Sequence, residues 1–178
     1  MDNKYAAIDA WNELIYELYG VDGKHRIETF IERMELGLID WLPRWTILYG
    51  GPGSGKSTLI YIINALFEDQ YLPIEGYKPY DFGQYNGILG ICHDADVDGM
   101  YLEITENWTL SKDYHLLLGT LMRPETDIRE SHEIIQPTGN RVSKDHYAEL
   151  MDCIYHGIPE LKLYFKHKAA SDFMERRL

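Results

Sequence analysis

The sequence is poor in cysteine, in long apolar runs and in positive charge. Its two cysteines, Cys92 and Cys153, supply no disulfide framework and no C-x-x-C spacing. That fits a reducing compartment and reads both as buried thiols. No apolar run approaches the ~20 residues that a membrane-spanning helix needs. The first residues lack the basic-then-apolar layout of a secretory leader. A cytoplasmic protein with no membrane partner is the expectation. Lysine and arginine number 17 against 29 acidic residues, a formal net charge of −12. Between Asp94 and Glu133, ten acidic residues outnumber three basic ones. A nucleic-acid groove needs lysine and arginine to displace counterions from phosphates, so strong nucleic-acid binding by a monomer is not expected. The only basic bias, Lys162, Lys166, Lys168, Arg176 and Arg177 against Asp172 and Glu175, reads as a solvated helix face.

What the chain does have is a glycine-rich loop in a telling place. Gly50-Gly51-Pro52-Gly53-Ser54-Gly55-Lys56-Ser57-Thr58 satisfies G-x-x-x-x-G-K-[ST] at every required position. Ahead of it runs Trp45-Thr46-Ile47-Leu48-Tyr49, a β-rich stretch. Behind it Leu59, Ile62, Ile63 and Leu66 recur at helical spacing. Strand, glycine loop and helix together form a phosphate cradle: glycines let backbone N–H groups curl around phosphates, and the helix aims its positive end at them. Lys56 is expected to reach the β- and γ-phosphates and the Ser57 hydroxyl to help hold Mg²⁺. A nucleoside triphosphate is the expected ligand.

A chain of 178 residues suits one compact domain with a sizeable core. The expected organisation is an N-terminal helical collar over 1–43, an α/β core over 44–140 and a helical segment over 141–178. Ile8, Trp11, Ile15 and Leu18 predict a first helix ending near Gly20 and Gly23. Ile27, Phe30, Ile31, Met34 and Leu38 predict a second, closing near Pro43. If the collar mediates assembly, Ile8 and Trp11 are the positions expected to carry it. The helix after the glycine loop is expected to reach about Asp69. Residues 70–87 read as a loop with at most one short strand. Ile88–Cys92 and Tyr114–Leu118 are apolar strands, Tyr101–Leu110 a hairpin, and Ile134-Ile135 a last strand. Helices are predicted over 144–156 and 160–175, with His156-Gly157 as the stop and Pro159 in the next first turn. Trp11, Trp41 and Trp45 read as packing residues, while Trp108 is either a cross-strand anchor or a stacking surface.

Phosphoryl chemistry needs a carboxylate at the end of an apolar strand to organise the Mg²⁺ shell, and usually another to polarise water. Asp94 is the choice for the metal side and Asp96 for the second acid. The competing reading is a solvent-facing turn with Asp98 and Gly99. A calcium loop is excluded, because the twelfth residue from Asp94 is Thr105 rather than glutamate. The seven histidines show no metal-ligand spacing, and only His93, beside Asp94, stands out.

These residues resemble the ATPase domain of phage and poxvirus-type primase-helicases, in helicase superfamily 3. W-N-E-L-I-Y-E-L-Y-G followed by R-I-E-T-F-I-E-R-M is similar to that family's collar, and T-I-L-Y-G-G-P-G-S-G-K-S-T-L-I-Y-I-I-N-A-L-F to its phosphate loop and helix. G-I-C-H-D-A-D-V sits where the family carries its metal-organising acids. L-L-L-G-T puts Thr120 where a polar sensor contacts the γ-phosphate or the lytic water. Q-P-T-G-N-R-V-S-K-D-H-Y-A-E-L-M is similar to the segment leading into the terminal helices. The resemblance implies an AAA+-like phosphate-loop core with a parallel-type sheet, and an ATP- and Mg²⁺-dependent ring that acts on DNA during replication. It also implies a phage or prophage protein in a bacterial cytoplasm, with ATP lying between subunits. Arg129 is the nearest substitute for the family's arginine finger, followed by Arg123 and Arg141. Where the family has a basic DNA-contacting hairpin, this chain reads E-I-T-E-N-W-T-L, with Glu103 and Glu106.

Three functions remain open on the sequence: a helicase-type ATPase acting as an oligomer, a small nucleoside or nucleotide kinase, and a nucleotide-binding assembly module with little turnover. In the first, the catalytic set is Lys56, Asp94, Asp96, Thr120 and Arg129. In the second, residues 70–87 would shape an acceptor pocket around Tyr77, Tyr80 and Tyr85.

Overall fold

The computed structural model describes residues 6–38, 41–67, 71–73, 89–101, 115–125, 127–128 and 131–175. The chain divides into two units, Ile39–Pro137 and the pair of segments Met1–Leu38 and Thr138–Leu178. The two terminal segments therefore belong together.

The first unit is an α/β sheet unit. Its strands are β1 (Trp45–Tyr49), β2 (Tyr71–Pro73), β3 (Leu89–Cys92), β4 (His115–Thr120) and β5 (His132–Ile135), and α2 (Lys56–Leu66) follows β1. All pairings are parallel, in the order β2-β3-β4-β1-β5. Parallel strands covered on both faces need continuous apolar runs, and β4, at the centre, is buried at every position. Its neighbour β1 is buried from Trp45 to Leu48. Pro73 has no N–H to donate, which suits the edge strand that carries it.

On one face of the sheet, Trp45, Ile47, Leu116, Leu118 and Cys92 pack with Val97, Met100, Tyr101 and Ile128. The Trp45 and Tyr101 rings meet edge to face, 5.6 Å between centroids. Residues 97–101 are helical, so Tyr101 is helical where the expected hairpin was to start. The rest of that stretch, 102–110, lies outside the described residues, as do Trp108, Glu103 and Glu106. The helix after the glycine loop stops at Leu66 with Phe67 as its C-cap, a little short of the expected Asp69.

The second unit is helical. In α1 (Ala6–Glu35) two helices meet at Gly20, whose φ of 69° and ψ of −173° are non-helical. The break expected near Gly20 is there; Gly23 continues the second helix. Carbonyls orphaned by the break find a partner in Thr138, whose hydroxyl donates to Glu17 and Leu18 and whose N–H donates to Leu18. The other helices, α3 (Lys144–His156) and α4 (Ile158–Glu175), pack on α1. Ser143 caps α3 by accepting from the His146 N–H.

The core of this unit is apolar with one ionic cluster. Trp11 is fully buried against Phe165 and donates its indole N–H to Glu28 at 3.2 Å. It is a core residue, as its reading as a packing residue expects. Glu28 and Glu32 share Lys168 at 2.7 Å each, and Lys24 adds a second cation to Glu28. Trp41, expected to pack, is 62% exposed, and Cys153, read as a buried thiol, is exposed. Among the described residues, no helix is long and apolar enough to cross a membrane.

Candidate phosphate-loop site

The carboxyl ends of parallel strands are where an open α/β sheet leaves a crevice for ligands. Here three of them converge chemically. Tyr49 pairs with Thr120 in the β1–β4 register, and Cys92 pairs with Leu118 across β3–β4. Strand β4 thus stands between the strand leading into the glycine loop and the strand leading into Asp94. Hydrogen bonds extend this order beyond the ladder. The Gly50 N–H donates to Thr120 at 3.2 Å, and the Ala95 N–H donates to Gly119 at 2.7 Å.

The loop from Gly50 to Gly55 turns on two left-handed glycines, Gly53 (φ 72°) and Gly55 (φ 93°). A β-carbon at either would force a strained backbone. No side chain caps α2, and no acidic residue sits in its first turn, which leaves the positive helix end uncompensated. Gly51, Pro52, Gly53 and Ser57 are exposed, Ser54 and Gly55 half-buried, and Lys56 and Thr58 buried. Ser57 therefore offers its hydroxyl at the surface of the first helical turn, while Thr58 packs inward. The Lys56 ammonium donates to the carbonyls of Gly50 and Gly51, the latter at 2.9 Å, and reaches the Ser54 hydroxyl at 3.3 Å. Burial pushes the Lys56 pKa down, with the Asp94 charge acting in the opposite direction. The Lys56 ammonium is thus held by the carbonyl oxygens of its own glycine loop.

The two aspartates divide. Asp94 is exposed, and its charge is felt by Lys56. Asp96 accepts from the Gly99 N–H at 3.1 Å, and its carbonyl accepts from Met100 at 2.9 Å. Its carboxylate thus serves as the cap of the helical turn 97–101. Asp98 accepts from the Glu125 N–H with both oxygens at 3.1 Å. Thr120 is buried, donates its hydroxyl to the Met122 carbonyl at 3.0 Å and accepts from the Met122 N–H at 3.3 Å. These four groups line an open cleft of about 480 Å³ together with Arg123 and Glu125. The His93 ring lies tilted against Tyr61, 4.9 Å between centroids and 43° between planes. Arg129 lies outside the described residues, as do Tyr77, Tyr80 and Tyr85. Arg141 is exposed in the helical unit.

Sequence reasoning missed the reach of Asp98 to Glu125 and the close fit at Gly119. The first joins residues 27 apart, and no local pattern encodes it. The second had a faint signal, a glycine interrupting an apolar strand, which marks a close backbone approach. Mg²⁺ does not need an all-protein cage; one carboxylate, one hydroxyl, phosphates and water suffice. Ser57 and Asp94 are both exposed and offer one hydroxyl and one carboxylate, and no cluster of three ligating side chains occurs among the described residues. The chain matches no protein-family model, and a search of curated proteins finds no significant match.

Proposed function

We propose that this protein binds Mg²⁺–ATP through the loop Gly50–Thr58 and hydrolyses it, acting as the ATPase module of a primase-helicase type ring. The observation that carries the reading is the carboxyl end of one sheet: two left-handed glycines ahead of a buried lysine, a carboxylate whose charge that lysine feels, and a polar strand end between them. A glycine turn of purely structural purpose gives no reason to bury an ammonium. Backbone N–H groups of the loop and of the α2 N-terminus would hold the phosphates, and Lys56 would pair the β- and γ-oxygens. Ser57 and Asp94 would hold Mg²⁺, directly or through water; the ion neutralises charge on the phosphates as the β–γ bond breaks. Thr120 would stand where the γ-phosphate ends. The cap made by Asp96 leaves Asp94 as the freer acid of the pair. Assembly and DNA as a partner rest on the family resemblance, and the charge of −12 favours DNA contact only through basic groups gathered in the oligomer.

The test is phosphate release from Mg²⁺–ATP across a wide protein concentration range, with Lys56→Ala in parallel. Activity per subunit that rises with concentration and vanishes in the variant supports the composite, ring-type site. Activity independent of concentration favours a self-contained site and turns attention to acceptor substrates. No nucleotide binding by the wild-type protein would sink the reading altogether.

A further inference from the structure

We infer that Pro137 is a positioning residue for the phosphate loop, anchored through Thr138 at the break in α1, so that anchoring and nucleotide binding favour one another. This rests on the nucleotide-binding function proposed above. The argument starts from register. Strands β1 and β5 pair as far as Leu48 with Ile135, and two residues further along each stand Gly50 and Pro137. Proline has no N–H with which to carry the ladder on, so pairing stops where the glycine loop begins. Pro137 is buried there. A β-carbon on Gly50 would lie 3.3 Å from Pro137 Cδ and 2.9 Å from the Ser54 hydroxyl. The bare glycine lets a rigid ring close against the loop backbone.

Gly50 is where such a contact bears on the site. Its N–H donates to Thr120 at 3.2 Å, and its carbonyl accepts from the Lys56 ammonium. Pro137 therefore backs the residue that ties the loop to β4 and holds the phosphate-binding lysine. Displacing the ring would loosen both connections at once.

One peptide bond further on, the chain is fixed to α1. The Thr138 N–H donates to the Leu18 carbonyl at 2.8 Å, and its hydroxyl donates to Glu17 at 3.0 Å and Leu18 at 3.2 Å. The same hydroxyl accepts from the Asn140 N–H at 3.1 Å, across Gly139, whose φ is 83°. Thr138 is exposed, so these bonds, not burial, hold it. With the φ of Pro137 locked by its ring, little slack separates the anchor from the contact with Gly50. If the loop binds phosphates best with Pro137 seated, linkage requires bound nucleotide to favour the seated, anchored segment in turn.

Nucleotide affinity and amide exchange test the two directions. Thr138→Val and Pro137→Ala, each checked for wild-type helicity by circular dichroism, are expected to weaken binding of a fluorescent Mg²⁺–ATP analogue about fivefold or more. Thr138→Ser keeps the hydroxyl and should bind as the wild type does. In the wild type, a saturating non-hydrolysable ATP analogue with Mg²⁺ should slow exchange of the Thr138 N–H about fivefold or more. That slowing should exceed any at the Leu161 N–H, which is bonded to Gly157 at 2.9 Å in the same unit. Wild-type affinity in both folded variants would overturn the inference, because Thr138 and Pro137 would then serve stability alone. Equal slowing at Thr138 and Leu161 would also overturn it, since it reports global stabilisation. A wild-type protein that binds no nucleotide would remove the proposed function and this inference with it, whereas variants that bind as well as a binding wild type remove the inference only.

Discussion

Gly119 approaches the backbone of His93 so closely that a β-carbon on it would lie 2.5 Å from the His93 carbonyl oxygen. The same glycine carbonyl accepts from Ala95, so the segment carrying Asp94 is clamped to β4 on both sides of the aspartate. Gly119→Ala must push that segment off the strand. Overpacking of this kind costs about 1–3 kcal/mol, to be read as a lowered urea midpoint with an unchanged slope. Asp94 shifts with the segment, so on the proposed function ATP turnover should fall by more than the loss of folded protein explains. Wild-type stability in this variant would show that the backbone gives way without cost.

A second glycine carries a different kind of constraint. Gly20 combines φ of 69° with ψ of −173°, a region essentially reserved for glycine, where another residue costs about 1–3 kcal/mol. Gly20→Ala is expected to destabilise by that amount even though its β-carbon would meet the Thr138 methyl at an ordinary 3.4 Å. Thr138→Val keeps the shape and removes the hydroxyl that bonds Glu17 and Leu18. It should cost about 1 kcal/mol. Thermal unfolding of both variants separates the conformational penalty from the capping one; a neutral Gly20→Ala would contradict the backbone angles.

Local pattern revealed most elements here because each had its own signal. Apolar triplets marked β4, the loop motif fixed where β1 ends and α2 begins, and His156-Gly157 ended α3. The order of the strands had no such signal. Whether β4 sits between β1 and β3 depends on pairings such as Ile47 with Leu118, 71 residues apart, and every parallel order has equally apolar strands. The same holds for the candidate site. Lys56 and Ser57 follow from the motif, whereas D-A-D-V-D-G left a site acid and a solvent-facing turn open for Asp96, and its role as a cap on the Gly99 N–H was in neither reading. Asp98 found a partner in a different loop, at Glu125, which no local pattern encodes.

The buried cluster in the helical unit predicts both a mutational and a pH effect. Burial alone would raise the Glu28 carboxyl, but hydrogen bonds from Lys168, Lys24 and Trp11 and the Lys168 charge outweigh it and hold the pKa below its ordinary value. Burial likewise opposes charge on Lys168, while Glu28 and Glu32 push its pKa up. Lys168→Met leaves two buried carboxylates with one remaining cation. Breaking a fully buried pair costs 3–5 kcal/mol; with Lys168 27% exposed, about 2–3 kcal/mol is the expected loss. The depressed Glu28 contributes stability above the ordinary glutamate value of about 4.3, lost as pH falls through the lower folded value. The raised Lys168 contributes below the ordinary lysine value of about 10.4 and loses it only as pH rises beyond that. Urea melts of the wild type between pH 3 and 7, compared with the variant, should show the acid-side slope flattened by Lys168→Met. Parallel slopes would remove Glu28 as its source.

A histidine at the surface of the same unit gives the opposite dependence. The His146 ring nitrogen lies 2.7 Å from a Glu13 oxygen, with Glu149 at 3.8 Å, so α1 and α3 are bridged by a group that is charged only when protonated. The Glu13 hydrogen bond raises the His146 pKa most; slight burial works against it, and the charges of Glu13 and Glu149 add to the rise. A raised folded value means the bridge contributes fully below the unfolded histidine value of about 6.5 and fades as pH climbs through the folded one. Both partners are well exposed, so salt screens the effect. Titration of the His146 ring proton by NMR should give a midpoint above 6.5, falling in Glu13→Gln and, to a smaller extent, at 0.5 M salt. Glu149→Gln should lower it less than Glu13→Gln, because its oxygen stands farther off. Equal midpoints in the wild type and Glu13→Gln would mean that the ring does not keep this partner in solution, and α1 and α3 would then be held by their apolar contacts alone.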